Sequence, residues 1–198
     1  MTGRMNRFLV ALLMVCAITG CARYKPPLPP EMFAPKGVDA LAVTASEAGV
    51  RFAWNAPDED RRGKELKFID GYAIQRKTIA RRGDETDPKV RFETIGFVKD
   101  KHVQVREDLR KSARAEGKIG RSIESPEEYT TFSYLDSTAK PSTTYIYQIV
   151  PQNQGGTDGI VSQVVRVSFA GSASDVATLK AEEVQEDDTS LDDPRAIS

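Results

Sequence analysis

Few groups in this 198-residue chain have intrinsic reactivity: two cysteines, one histidine and a large set of carboxylates. Cys16 lies inside an apolar run, and Cys21 directly follows Ile18-Thr19-Gly20. If the segment before Cys21 is removed, one thiol is left. That excludes a disulfide, a cysteine metal site and a cysteine nucleophile. His102 is the single imidazole, too little for a histidine zinc site or a Ser-His triad. It sits in a polar stretch with no serine-centred nucleophile turn, and is expected at the surface. Asp58-Glu59-Asp60-Arg61-Arg62-Gly63 has the acid density of a calcium loop. Arg62, however, stands where an oxygen ligand is needed, and no bidentate glutamate follows at the required spacing. No metal and no cofactor are expected.

The surroundings of Cys21 give that thiol a different task. Arg4 and Arg7 form a positive start, Phe8 to Ile18 is an apolar run too short to span a bilayer, and small residues follow. Met1 to Gly20 reads as a secretory signal cut between Gly20 and Cys21, and the segment resembles that of bacterial lipoproteins. The resemblance implies diacylglycerol on the Cys21 sulfur and a third acyl chain, such as palmitate, on its amine. Each buried methylene contributes about 0.8 kcal/mol, so such chains hold a protein on a membrane permanently. Ala22, rather than Asp, implies by the same resemblance the outer membrane, facing the periplasm. Lys25-Pro26-Pro27-Leu28-Pro29-Pro30 favours polyproline II, so 21–34 is read as a semi-rigid tether.

Near-zero net charge argues against nucleic-acid binding, which calls for a basic stripe. Period-two alternation dominates from 35 to 170 and predicts strands. The markers are Val38-Leu41-Val43, Val50-Phe52-Trp54, Ile69-Tyr72-Ile74, Phe92-Ile95-Phe97-Val98, Tyr129 to Leu135, Tyr145-Tyr147-Ile149, and Val161 to Phe169. Seven short strands separated by turn residues predict an all-β sandwich.

The pattern resembles a fibronectin type III (immunoglobulin-like) domain. Trp54 matches the tryptophan of that family's second strand, and Ile69 to Arg76 its third. Lys140-Pro141-Ser142-Thr143-Thr144-Tyr145 resembles the turn into the sixth strand, where the tyrosine hydroxyl ties back to backbone. Tyr147, Ile149, Asn153, Gly156 and Ser162 continue the match, while Ala139 replaces the usual leucine. The motif implies packing and turns, not chemistry. Arg82-Gly83-Asp84 is the tripeptide some members present to integrins, but those carry it between the last two strands. Here it lies elsewhere and reads as a charged turn.

The body 35–170 is longer than the family's domain by insertions near 78–88 and 99–126. In the second, Val105, Leu109, Ser112 and Ala113 share a helical face, Glu107 and Lys111 pair at i,i+4, and Gly117 is a stop signal. This segment carries excess positive charge. Lys101, Arg106, Arg110, Lys111 and Arg114 are its candidate contacts to an anionic lipid surface or an acidic partner. From 171 to 198 eight acids face only Lys180 and Arg195, which predicts a disordered acidic tail. Glycoside hydrolysis needs a cleft joining two carboxylates, and a small sandwich offers none, so no enzyme and no small-molecule substrate are expected. The sequence therefore points to a lipid-anchored cell-envelope binding or scaffold protein acting on a protein partner. The alternative is a carbohydrate- or peptidoglycan-contacting accessory lipoprotein, which would need exposed aromatics.

Overall fold

A computed structural model describes residues 27–80, 89–153, 156–171 and 174–179. Residues 1–20, read above as a secretory signal, Cys21, Arg82-Gly83-Asp84 and 180–198 lie outside the described residues. Among the described residues nine strands form two antiparallel sheets. The smaller has the order β1 (Asp39–Ser46), β2 (Gly49–Asn55), β5 (Thr131–Asp136). The larger runs β4 (Glu93–Lys99), β3 (Gly71–Ile79), β6 (Thr143–Asn153), β8 (Val164–Phe169), β9 (Ser174–Leu179), and the two-residue β7 (Thr157–Asp158) also pairs with β6. With β9 and β7 set aside, first, second and fifth strands oppose fourth, third, sixth and seventh. This is the fibronectin type III-like sandwich.

Alternation makes the core. Val50, Phe52 and Trp54 from β2 meet Tyr72 and Ile74 from β3, Tyr147 and Ile149 from β6, and Val165 and Val167 from β8. Trp54 meets Tyr72 edge-on at 5.4 Å between centroids, and Phe52 lies 4.7 Å from Tyr147. The two strands with irregular sequence patterns contain irregular pairing. The β1–β2 register shifts between Asp39 and Ala42, where Ala40 has φ 49°, so Val38, Leu41 and Val43 all reach the core. The β3–β4 register shifts between Ile74 and Gln75, which puts Ile95 and Val98 on one face although they are three apart. The turn into β6 closes as its sequence implies: the Lys140 N–H donates to the Tyr145 hydroxyl at 2.9 Å.

Two expectations are corrected at the ends of the domain. Pro30–Phe33 is a 3-10 turn, and Ala34 behind it is fully buried, so the folded body begins before the expected 35. The tail is not unstructured from 171, because β9 pairs along the whole of β8. Its central residues are exposed, which leaves little apolar alternation for a sequence reading to find. Leu179 packs with Ile146 and Val164 on the outer face of the sheet.

Candidate functional site

The second insertion contains one helix, α1 (His102–Ala115), ended at Gly117 with φ 74°. The Gly117 and Lys118 N–H groups return to the Arg114 and Ala113 carbonyls, as a left-handed C-terminal residue allows. The buried face is the expected one only at Ala113. Leu109 is 40% exposed, and the helix buries His102, Val103, Arg106 and Ala113. The physical reason is pairing: His102 Nδ1 is held by Asp100 and the Arg106 guanidinium by the Leu66 carbonyl, so a stripe carrying polar groups can dock beside Val103 and Ala113.

His102 shows this most clearly and overturns its reading as a surface residue, since it is fully buried. The Asp100 carboxylate receives the His102 backbone N–H at 2.7 Å and sits 2.8 Å from its Nδ1. The Tyr72 hydroxyl donates to the other Asp100 oxygen at 2.5 Å. Asp100, one residue before the N-cap Lys101, thus takes the first N–H of α1, where backbone N–H groups and the helix dipole favour a negative charge. Burial, with the neighbouring Asp100 charge, pushes the Tyr72 hydroxyl far above its ordinary range and keeps it a donor. His102 Nε2 is enclosed without a hydrogen-bond partner among the described residues.

The five basic candidates divide into two groups. Arg106 is buried, donates to the Leu66 carbonyl and lies 3.5 Å from a Glu65 carboxylate oxygen. Arg110 holds Glu65 at 2.6 and 3.0 Å, Glu107 at 3.2 Å and the Ile123 carbonyl at 3.1 Å. The Arg110 hydrogen bond holds Glu65 below the usual carboxylate range. These two arginines fasten α1 to the loop after β2. Lys101, Lys111 and Arg114 face solvent, with Lys111 paired to Asp108 at 3.2 Å. The structure does not bring the five together as one basic patch.

Between α1, the 56–66 loop and the 120–125 segment lies an open groove of about 570 Å³. Arg106 and Arg110 form one wall, Asn55, Ala56 and Thr130 the sandwich side, and Asp39, Asp58, Glu124 and Arg121 the rim. A second hollow of about 490 Å³ lies on the other flank of α1, beside Phe68, Lys101 and Gln104. The acid run that resembled a calcium loop is closed by its own arginine. Asp60 takes the Arg62 guanidinium at 2.6 and 3.0 Å and the backbone N–H groups of Arg62 and Lys64. The Arg62 bond in turn holds Asp60 below its ordinary range. Among the described residues no cluster of three or more His, Cys, Asp and Glu side chains is arranged for a metal ion.

Sequence reasoning missed the network at the far end of the sandwich. Asp136, 1% exposed, accepts Arg76 at 2.8 Å, the Tyr147 hydroxyl at 2.9 Å, and the Thr138 hydroxyl and N–H at 2.7 and 2.9 Å. Burial works to raise its pKa, and these donors outweigh it, leaving the carboxyl below the usual range. The one sequence signal was Arg76, a charge at an inward-facing register of β3.

No family model matches the chain, and no curated protein does. Solved structures show a partial likeness. The kinase region of C. elegans twitchin gives a TM-score of 0.41 at 11% identity over 70% of this chain, which spans 17% of that one. The third fibronectin III domain of human KIAA0343 protein gives 0.38 at 8%, over 76% of this chain and 94% of that one. A structure described as a myokine gives 0.34 at 12%, over 69% and 99%. The fold rests on the strand order itself.

Proposed function

We propose that the chain is a lipid-anchored, non-enzymatic binding protein of the bacterial cell envelope, held at the outer membrane facing the periplasm and acting on another envelope protein. Cys21 carries the acyl chains, the proline segment sets the height, and the sandwich with its docked helix presents the contact surface. The observation that supports a binding role best is the state of the only histidine. Its ring is fully buried and its Nδ1 is engaged by Asp100, so it cannot meet a substrate. The other strongly bonded carboxylates, Asp60 and Asp136, brace the fold in the same way. Trp54 is 1% exposed and unavailable for stacking on a sugar, so a carbohydrate reading would fall to the exposed Phe68, Phe97 and Tyr129.

The test compares wild type with Cys21→Ala in the native cells, by membrane fractionation followed by crosslinking. Wild type is expected in the membrane fraction with a partner that the soluble variant loses. Identical fractionation and identical crosslinks for both forms would contradict the proposal.

A further inference from the structure

We infer that the end of the sandwich where the chain enters is a lipid-contacting face, seated on the phospholipid surface by apolar side chains of the entry turn and the β7–β8 loop. This inference rests on the reading of Cys21 as a membrane anchor, and adds the orientation of the body on that membrane. Two independent observations carry it. The first is where the exposed apolar side chains lie. Asp39 pairs with Asn55, Asn55 with Thr131, and Gly71 with both Lys99 and Gln152, so these positions mark one end of each sheet. The Ile160 N–H donates to the Pro35 carbonyl at 3.1 Å and the Ser162 hydroxyl to the Val38 carbonyl at 2.7 Å, which brings the two ends together. Leu28, Met32 and Phe33 enter there, Ile160 lies at the same end, and all four are 38–51% exposed. Among the described residues, the turns at the opposite end (46–49, 89–93, 137–143 and 169–174) carry no exposed large apolar side chain.

The second observation is the reach of the anchor. Cys21 precedes Pro27 by six residues, and a chain spans at most about 3.6 Å per residue, so acyl chains on Cys21 keep Pro27 within roughly 20 Å of the lipid surface. The seven residues of β2, at about 3.3 Å each, set the opposite end about another 20 Å away. The proline segment thus bounds the height, and the apolar end brings the body down within that bound. Side chains that enter the interface leave water, which is favourable in proportion to the area removed. Phe33 lies under the Arg62 guanidinium at 4.0 Å, and Arg61 is exposed next to Arg62. Such a pairing suits the level of the headgroups, with the ring toward the acyl chains and the cations toward phosphate. Charge does not drive the contact, because Glu31 and Glu59 lie among Lys36, Arg61 and Arg62. A protein could cover the same side chains, but the anchor supplies lipid permanently and at this end.

The experiment uses the protein purified from the native cells. An acylated Cys21 leaves no free thiol, so Met32→Cys, Ile160→Cys and, at the opposite end, Glu47→Cys each offer one site for an environment-sensitive fluorophore. All three side chains are exposed, so thermal unfolding is expected to be unchanged and serves as the folding check. The labelled proteins are reconstituted into vesicles of phosphatidylethanolamine and phosphatidylglycerol, with and without a spin-labelled lipid as quencher. The Met32 and Ile160 labels should shift to the blue and lose intensity to the quencher, and the Glu47 label should do neither. Protein that floats with the vesicles while the Met32 and Ile160 labels stay in water would overturn the inference and leave the anchor standing. Quenching as strong at Glu47 as at Met32 would overturn it equally, because the body would then have no preferred end. Protein that fails to float would overturn the anchor and this inference together. These vesicles hold no partner, so labels shielded only in native membranes would assign the patch to a protein and overturn its assignment to lipid.

Discussion

At the residue scale the molecule invests its titratable groups in buried, multiply bonded carboxylates. Asp136 has Arg76, Tyr147 and Thr138 around it, and its folded pKa is depressed. Asp60 and Glu65 are depressed in the same direction, by Arg62 and Arg110. A depressed folded pKa means the unfolded chain binds protons first as pH falls. The stabilisation is therefore fully present above the unfolded values near about 4 and is lost as pH falls through the lower folded ones. Chemical denaturation is expected to give constant stability from neutral pH to about 5 and a decline below about 4. Asp136→Asn should cost about 2 kcal/mol at neutral pH and flatten that decline. A variant with the wild-type acid profile would contradict the role given to this carboxylate. Tyr72→Phe removes one of the donors to Asp100 and should cost about 1–3 kcal/mol, read by the same denaturation.

At the scale of elements, period two was enough to find seven strands, and the turn into β6 was legible from Lys140 to Tyr145. The helix was legible too, but its buried face was not. Hydrophobic counting chooses Val105, Leu109, Ser112 and Ala113; the fold keeps Ala113 buried but docks His102, Val103 and Arg106 in place of the others. Only the positions of Asp100, Leu66 and Glu65 in space make that choice favourable, and those come from other elements. The strand β9 was hidden for a related reason. It adds to an edge with its central side chains in solvent, so main-chain pairing to β8 defines it more than any apolar pattern. If Arg106 fastens α1, then Arg106→Ala should speed amide hydrogen exchange across 103–115 and leave β3 and β6 as protected as before. Uniform acceleration across the sandwich would instead mean that Arg106 supports the whole core.

At the scale of the whole molecule, the sandwich is a rigid support on which one insertion has been folded down and riveted. The rivets Arg106 and Arg110, read in the sequence as a contact surface, are what build the groove. The solvent-facing charges Lys101, Lys111 and Arg114 do not line it. Of the candidate site, the segment was legible and the division of its arginines was not, because like charges in sequence carry no record of which carboxylate each will meet. In the function proposed above, this support is joined to a membrane through Cys21. The most direct test is the mass of the N-terminal peptide of the mature protein, isolated from the native cells. A peptide beginning at Cys21 and carrying acyl chains is the expected result. A peptide beginning elsewhere, or at Cys21 with its thiol and amine unmodified, would contradict the anchored module proposed for this chain.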